Sequence, residues 1–429
     1  MFKNKFLLPV IALLSLSACS GNNVISSVNP INDDPVFKAH EITKPQKTFN
    51  NKHQNLSLNY VESLKAFSLD FYKVVPEQTN PVFSPISLAT CYSMLYDGAL
   101  EETKEELKNM LHYDDSFNHL EEIQKMLLNT AINNKNTTLD MAQSLWIHDR
   151  FVDNLNEEYF NNIQDYYFAE AYQGILESDE MHRMLADYIN AKTHDFLKVK
   201  KETFDEYEGI LWLLNTIYLK STWINTFPEK ENYKSYFTNI DKSTADNVEY
   251  MHHEFESNYY KADNYMISSI PYCDNLSMTI LLPNEGTDYK KVLNDETALN
   301  NLLSYYNSRN HMTDDVTYVL PKFKTQSAYD LIEILPELGI EYAIDPDKAN
   351  LFGLCKEIPH ANLYVRRSRH EAGIEVKNDG TVAAAYTIIE VDEKAAPAPS
   401  IRFVCDRPFT YIINTNDGLP LFMGTVNKF

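Results

Sequence analysis

Apolar positions recur at helical spacing in the first half of this chain and alternate, or run together, in the second. "LNYVESLKAFSLDFYKVV" and, after Pro85, "SLATCYSMLYDGAL" place apolar residues on one helical face. "TKEELKNML", "HLEEIQKMLLNTAI", "NEEYFNNIQDYYF" and "MHRMLADYINAKTHDFLK" continue that spacing. Between them "LDMAQSLWIH" alternates as a half-buried strand does. Then the character changes. "ILWLLNTIYLKSTW" is a long run of aromatic and branched residues, and "NYMISSIPY" and "LSMTILLPN" read as a hairpin turning near Asp274-Asn275. "VTYVLPKFKTQ" predicts one further strand, and "AYDLIEILPELG" a short helix ended by Gly339. The C-terminal third is mostly strand, through "RPFTYIINTNDGLPLFMGTVNKF". Helices early and strands late predict an α+β fold, with helices packed on large mixed or antiparallel sheets.

One stretch fits neither pattern cleanly. "NDGTVAAAYTIIEVDEK" begins at Asn378 and is followed by Pro397 and Pro399. Read with period two, one face carries Thr381, Ala383, Ala385, Thr387, Ile389 and Val391, small and then apolar, without charge. The other carries Val382, Ala384, Tyr386, Ile388, Glu390 and Asp392. The first face suits burial in a sheet, yet Ala383-Ala384-Ala385 has poor intrinsic strand preference. Such a segment is stable inside a sheet built by other strands and mobile outside one. Its small side chains would let it enter a packed sheet without clash.

The N-terminus reads as a processing signal. Lys3 and Lys5 precede the apolar run "FLLPVIALLSL", which is short for a membrane span, and "LSAC" ends at Cys19. That tetrapeptide resembles the lipobox of bacterial lipoproteins. The resemblance implies that residues 1–18 are removed and that Cys19 is lipidated. Residues 19–56, rich in Asn, Ser, Lys and Pro, then read as a tether, and residues 57–429 as one folded domain without a second linker or repeat.

Composition narrows the function by exclusion. The formal net charge of −23 disfavours nucleic acid as a partner, because a phosphate-binding face needs clustered Lys and Arg. Metalloprotease, nucleophile-elbow, phosphate-loop and dinucleotide motifs do not occur, and 11 glycines are few for a nucleotide cradle. His252-His253-Glu254 has the wrong spacing for a metal pair, since strand neighbours point to opposite faces. Cys91, Cys273, Cys355 and Cys405 are scattered, without metal or disulfide spacing. No cofactor, metal or catalytic constellation is expected.

Several blocks, in order, resemble the serpin family from about residue 57 to Phe429. "NPVFSPISLATCYSML" resembles the entry to its helix B, with Ser84 and Ser87 at the shutter serines. "LLNTIYLKSTWINTF" resembles its central-sheet strand, with Asn215 at the shutter and Trp223 at the breach. "LPKFKTQSAYDLIEILPELGI" and "NLFGL" match two more signatures. "RHEAGIEVKNDGTVAAAYT" matches the strand and hinge before the reactive loop, with His370 as the shutter histidine, and "RPFTYII" and "PLFMGTV" match the C-terminal strands.

The resemblance implies a protease inhibitor that is consumed rather than an enzyme. A target protease attacks an exposed loop, about 380–400, and is trapped as an acyl complex when the hinge inserts into the main sheet. The hinge residues are then Gly380, Thr381, Ala383, Ala384, Ala385 and Thr387. Counting from Gly380 as the family does puts the reactive bond at Lys394-Ala395, which implies a trypsin-like serine endopeptidase. An elastase- or subtilisin-like enzyme cutting at Ile389 or Val391, or a cysteine protease, is the alternative. A non-inhibitory binding module is a further one. The chain departs from the family pattern at Asn378 and Val382 (both commonly Glu), Tyr386 (commonly small), Ser221 (commonly Gly) and Ala186 (commonly Asn). With a lipidated Cys19, the resemblances imply a monomer anchored in a bacterial envelope, at the outer membrane or cell surface, with release to the medium as the alternative.

Overall fold

In the computed structural model, which describes residues 10–12, 34–45, 53–76, 78–305, 311–356, 362–381 and 401–429, helices lie over two large sheets. From the N-terminus come β1 (Val10–Ala12), α1 (Pro35–His40), β2 (Glu41–Thr43), α2 (Leu58–Val74), β3 (Val82–Phe83), α3 (Pro85–Asp97), α4 (Glu101–Met110) and α5 (His119–Asn129). The middle of the chain gives β4 (Ile132–Asn133), β5 (Thr137–His148), α6 (Glu157–Asp165), β6 (Glu170–Gly174), α7 (Asp179–Lys192) and β7 (Leu211–Thr222). Next are β8 (Tyr233–Thr238), β9 (Thr244–Lys261), β10 (Tyr265–Tyr272), β11 (Leu276–Pro283), α8 (Tyr289–Leu293) and α9 (Glu296–Leu303). The last part holds β12 (Met312–Pro321), β13 (Phe323–Asp330), β14 (Arg369–Lys377), β15 (Gly380–Thr381), β16 (Ile401–Val404), β17 (Phe409–Thr415) and β18 (Pro420–Val426).

The first sheet runs β13, β14, β7, β5, β6, β2, and both β1 and β15 lie between β14 and β7. The second runs β16, β12, β9, β10, β11, β17, β18, β3, with β8 added to β9. Pairing is antiparallel except for β5 with β6 and β12 with β16. The α+β expectation therefore holds.

Helix α3 is buried from Pro85 through Leu95 on every side. Its hydroxyls tolerate this because they bond back into the helix, Thr90 to the Ile86 carbonyl and Ser93 to the Ala89 carbonyl. Strand β5, expected to be half-buried, is covered on both faces from Met141 to Ile147. Leu139, Met141 and Leu145 enter the main core, while Ala142 and Trp146 pack under Met184, Leu185 and Tyr188 of α7. The β10–β11 hairpin turns where expected, through the three residues Cys273, Asp274 and Asn275, the last two left-handed at φ 58° and 61°.

Three expectations are corrected. "VTYVLPKFKTQ" is two strands, because Pro321 ends β12 and the chain crosses from β9 in the second sheet to β14 in the first. "AYDLIEILPELG" gives strand through Asp330 and only a short 3-10 turn, Leu335–Leu338, closed by Gly339 at φ 84°. The 19–56 tether is also too long as drawn. Asp34 caps α1 by accepting from Val36 N, Phe37 is buried against the rings of Tyr172 and Tyr188, and β2 pairs with β6. Removing one Phe side chain from water contributes about 2–3 kcal/mol toward docking, alongside the β2–β6 pairing, in a segment whose polar background hid it in the sequence. No described helix is long and apolar enough to cross a bilayer.

Candidate functional site

Strand β14 ends at Lys377, turns through Asn378-Asp379, and comes back as β15 between β14 and β7. Gly380 pairs with Lys377 and Thr222, and Thr381 with Val376 and Ser221. At Gly380 φ is 139°, and a Cβ there would stand 2.2 Å from the Ser221 carbonyl oxygen. Only glycine fits so close to a neighbouring backbone. Trp223 holds the turn: its Nε1 donates to the Lys377 carbonyl at 3.0 Å and its backbone N–H to the Asp379 carbonyl at 2.9 Å. Its ring stacks on Tyr272 at 3.9 Å and 10°, and the Tyr272 hydroxyl meets the Thr381 hydroxyl at 2.6 Å. Burial pushes the Tyr272 phenol well up, so it stays protonated and able to donate. Burial also pushes the Asp379 carboxyl up.

Below β15 a slot continues between β7 and β14. The backbone of β1 occupies its lower part, antiparallel to both walls, with Val10 opposite Ala372 and Ile217, Ile11 opposite Glu371 and Thr216, and Ala12 opposite His370 and Asn215. Residues Ala383, Ala384, Ala385 and Thr387 lie outside the described residues, but β15 fixes a register for any continuation. Each step down from Thr381 pairs one residue earlier on both walls. Positions 385, 386 and 387 would then stand opposite Ala372 and Ile217, Glu371 and Thr216, and His370 and Asn215. These are the positions that Val10, Ile11 and Ala12 hold. The slot thus accepts a strand in the register that the hinge begins.

Beneath its lower end four polar residues meet in a dry environment. Ser84 caps α3 by accepting from Ser87 N at 3.3 Å, and its Oγ donates to the Leu421 carbonyl at 2.6 Å. Ser84 N–H donates to His370 Nε2 at 3.0 Å. Ser87 Oγ donates to Asn215 Oδ1 at 2.5 Å. All four side chains are buried. Because Nε2 accepts, the His370 ring is the neutral Nδ1–H form, and burial pushes its pKa down from 6.5 to about 3. His370 Nδ1 and Asn215 Nδ2 have no hydrogen-bond partner among the described residues. Both sit on the slot walls opposite Ala12.

The sequence-predicted residues therefore fall into two groups. Gly380, Thr381 and Trp223 meet at the top of the slot, and Ser84, Ser87, Asn215 and His370 at its floor. Lys394, Ala395 and Cys19 lie outside the described residues. Asn378, which period two puts on the same face as Val382 and Tyr386, is only 3% exposed because Phe227 and Asn232 cover it. Val382 and Tyr386 lie outside the described residues. Ser221 takes the place of a glycine by bonding Thr137 through its hydroxyl, and Ala186 is on the buried face of α7. His253 meets the rings of Phe227 and Phe255 edge-on, and Glu254 accepts from Thr317. Cys91 is a buried thiol whose pKa burial raises. Tyr272 and Asn232 were missed. Each lies far from the hinge in sequence, and only the β10–β11 turn signal hinted at Tyr272.

A family model described as Serpin (serine protease inhibitor) matches residues 62–429. A serpin-like protein of Methanosarcina acetivorans is 30% identical over 380 residues, covering 85% of this chain and 84% of its own. Alpha-1-antiproteinase 2 of Equus caballus is 28% identical over 384 residues, covering 85% and 86%. Among solved structures, the thermophilic serpin tengpin in the native state superposes with a TM-score of 0.73 at 22% identity, covering 88% of this chain and 96% of that one.

Proposed function

The chain belongs to the serpin family, generally serine protease inhibitors, and we propose that it traps a trypsin-like serine endopeptidase as a suicide substrate. The protease serine attacks the Lys394 carbonyl carbon. The Lys394–Ala395 amide bond breaks, the proton relayed from the serine goes to the Ala395 amine, and the cut loop remains esterified to the protease. With the leader, and so β1, removed, the freed hinge would run down the slot between β14 and β7 and carry the protease with it. The chain turns nothing over, so it acts as a stoichiometric inhibitor rather than an enzyme.

One observation carries this reading: Gly380 and Thr381 already lie at the head of the slot, in a register that would bring Ala383, Ala385 and Thr387 onto the core face. Those residues are small or uncharged, so the core face of the added strand would meet no bulk. Each backbone hydrogen bond gained would add about 0.5–1.5 kcal/mol. The native state on this reading is a kinetic trap, a use of strand insertion that is well known for the family. The "LSAC" tetrapeptide supports a lipid on Cys19 and a monomer anchored in a bacterial envelope.

A second reading, a non-inhibitory binding module, draws on Tyr386, whose bulk would fall beside the buried Thr216. Mixing the purified protein with trypsin separates the two. Inhibition gives an SDS-resistant complex and a released peptide beginning at Ala395. Clean cleavage with trypsin left active supports the second reading. A complex whose released peptide begins elsewhere keeps the inhibitor and moves the bait, toward the elastase- or subtilisin-like alternative at Ile389 or Val391.

A further inference from the structure

We infer that a reciprocal amide pair, Asn232 with Asn378, is the pin that sets the register of loop insertion; the inference rests on the inhibitory reading above. Asn378 is the tip of the β14–β15 turn. Its Nδ2 donates to the Asn232 Oδ1 at 2.8 Å and to the Phe227 carbonyl at 2.8 Å. Asn232 Nδ2 donates in return to Asn378 Oδ1 at 3.1 Å and to Glu249 Oε1 at 3.1 Å. Phe227 N–H donates to the Asn378 carbonyl at 2.9 Å.

Every N–H of both amides is used, and the outer acceptors fix which way each amide faces. A backbone carbonyl at Phe227 and a carboxylate at Glu249, itself held by Lys322 at 2.7 Å, can only accept. Neither amide can flip without setting oxygen against oxygen. The three tip residues are thus each tied to the body: Lys377 and Asp379 through Trp223, and Asn378 through Phe227 and Asn232. A tip held this way cannot slide. New pairs form only at the free lower end, at the parity that Thr381 starts.

Parity decides the outcome. A slip of one residue would turn Ala383, Ala385 and Thr387 away from the core and Tyr386 into it. The chain carries asparagine at this tip where the family commonly has glutamate, and the neutral pair gives a pin that salt does not screen. Asn232 is a positioning residue, since it touches the hinge and not the scissile bond.

The test uses the full chain and two variants. N232A removes the partner while leaving the hinge sequence intact. N378D is isosteric and puts a carboxylate oxygen against the Phe227 carbonyl. Amide hydrogen exchange over Val376–Thr381 should rise at least tenfold in both, with β13 unchanged, and should not respond to 1 M salt in the wild type. With trypsin, the number of inhibitor molecules consumed per protease trapped should rise severalfold in N232A, while the encounter rate stays within twofold of wild type. A merely destabilised fold would not produce that split. Wild-type exchange over the tip in both variants overturns the pin. A wild type that never traps a protease overturns the inhibitory reading instead, and the exchange result still decides the pin.

Discussion

His370 Nε2 accepts the backbone N–H of Ser84 at 3.0 Å, joining residues 286 positions apart at the floor of the slot. His370→Ala would leave that N–H without its acceptor and open a cavity beneath β7 and β14. A cost of about 2–4 kcal/mol follows from the lost packing and the unmade bond together. The native form should convert to inserted or polymeric species at lower temperature. Native gels after mild heating check this, and an unchanged monomer band counts against it.

The same residue sets a pH dependence. Its folded pKa of about 3 lies below the unfolded 6.5, with burial as the cause. The unfolded chain therefore binds a proton that the folded chain refuses. The contribution is complete above pH 6.5 and is lost as pH falls toward 3, at about 1.4 kcal/mol per pH unit. Between pH 6.5 and pH 5 that amounts to about 2 kcal/mol. Denaturant unfolding at the two pH values should show the loss in the wild type and a flatter profile in His370→Gln.

Gly380→Ala should uncouple the hinge from the sheet. The added methyl would stand 2.2 Å from the Ser221 carbonyl oxygen, at a φ that an L side chain rarely adopts. Strand β15 would leave the slot. Trypsin should then cleave the variant and escape, so the inhibitor consumed per protease trapped should rise tenfold or more. Trapping at the wild-type ratio would show that insertion does not need β15 in place.

Phe37→Ala tests whether the N-terminal segment belongs to the folded body. The ring packs on Tyr172 and Tyr188, so truncation should cost about 3–5 kcal/mol of whatever stability α1 shares with α7. A lowered melting temperature would confirm the dock. A melt identical to wild type would return residues 34–43 to the tether.

Helical period found α2 and α3, and runs of aromatic and branched residues found β7 and the β10–β11 hairpin, although α3 and most of β7 are buried on every side. Period misread β5, because α7 covers the face that alternation left for water. It also failed at Pro321, where one apolar run serves two sheets. The floor residues Ser84, Ser87, Asn215 and His370 were legible only through the serpin resemblance, since a buried serine before a proline reads locally as nothing more than a helix cap. Asn232 was not legible at all. Its role comes from a contact across 146 residues, and no local pattern marks an asparagine that faces another asparagine.

On the proposal that Cys19 carries a lipid, the docking of α1 and β2 would alter the mechanics of the anchor. From Cys19 to Asp34 is 15 residue steps (34 minus 19), against 38 (57 minus 19) if the body began at Ser57. At about 3.3–3.6 Å per residue the longest leash falls from about 130 Å to about 50 Å. The leash also ends on a chosen edge. Among the described residues β2 pairs only with β6, and β5 separates β6 from β7. With the proposed anchor, a tug from the membrane would peel at that edge, and the strands that would part for an inserting loop would be mechanically sheltered from it.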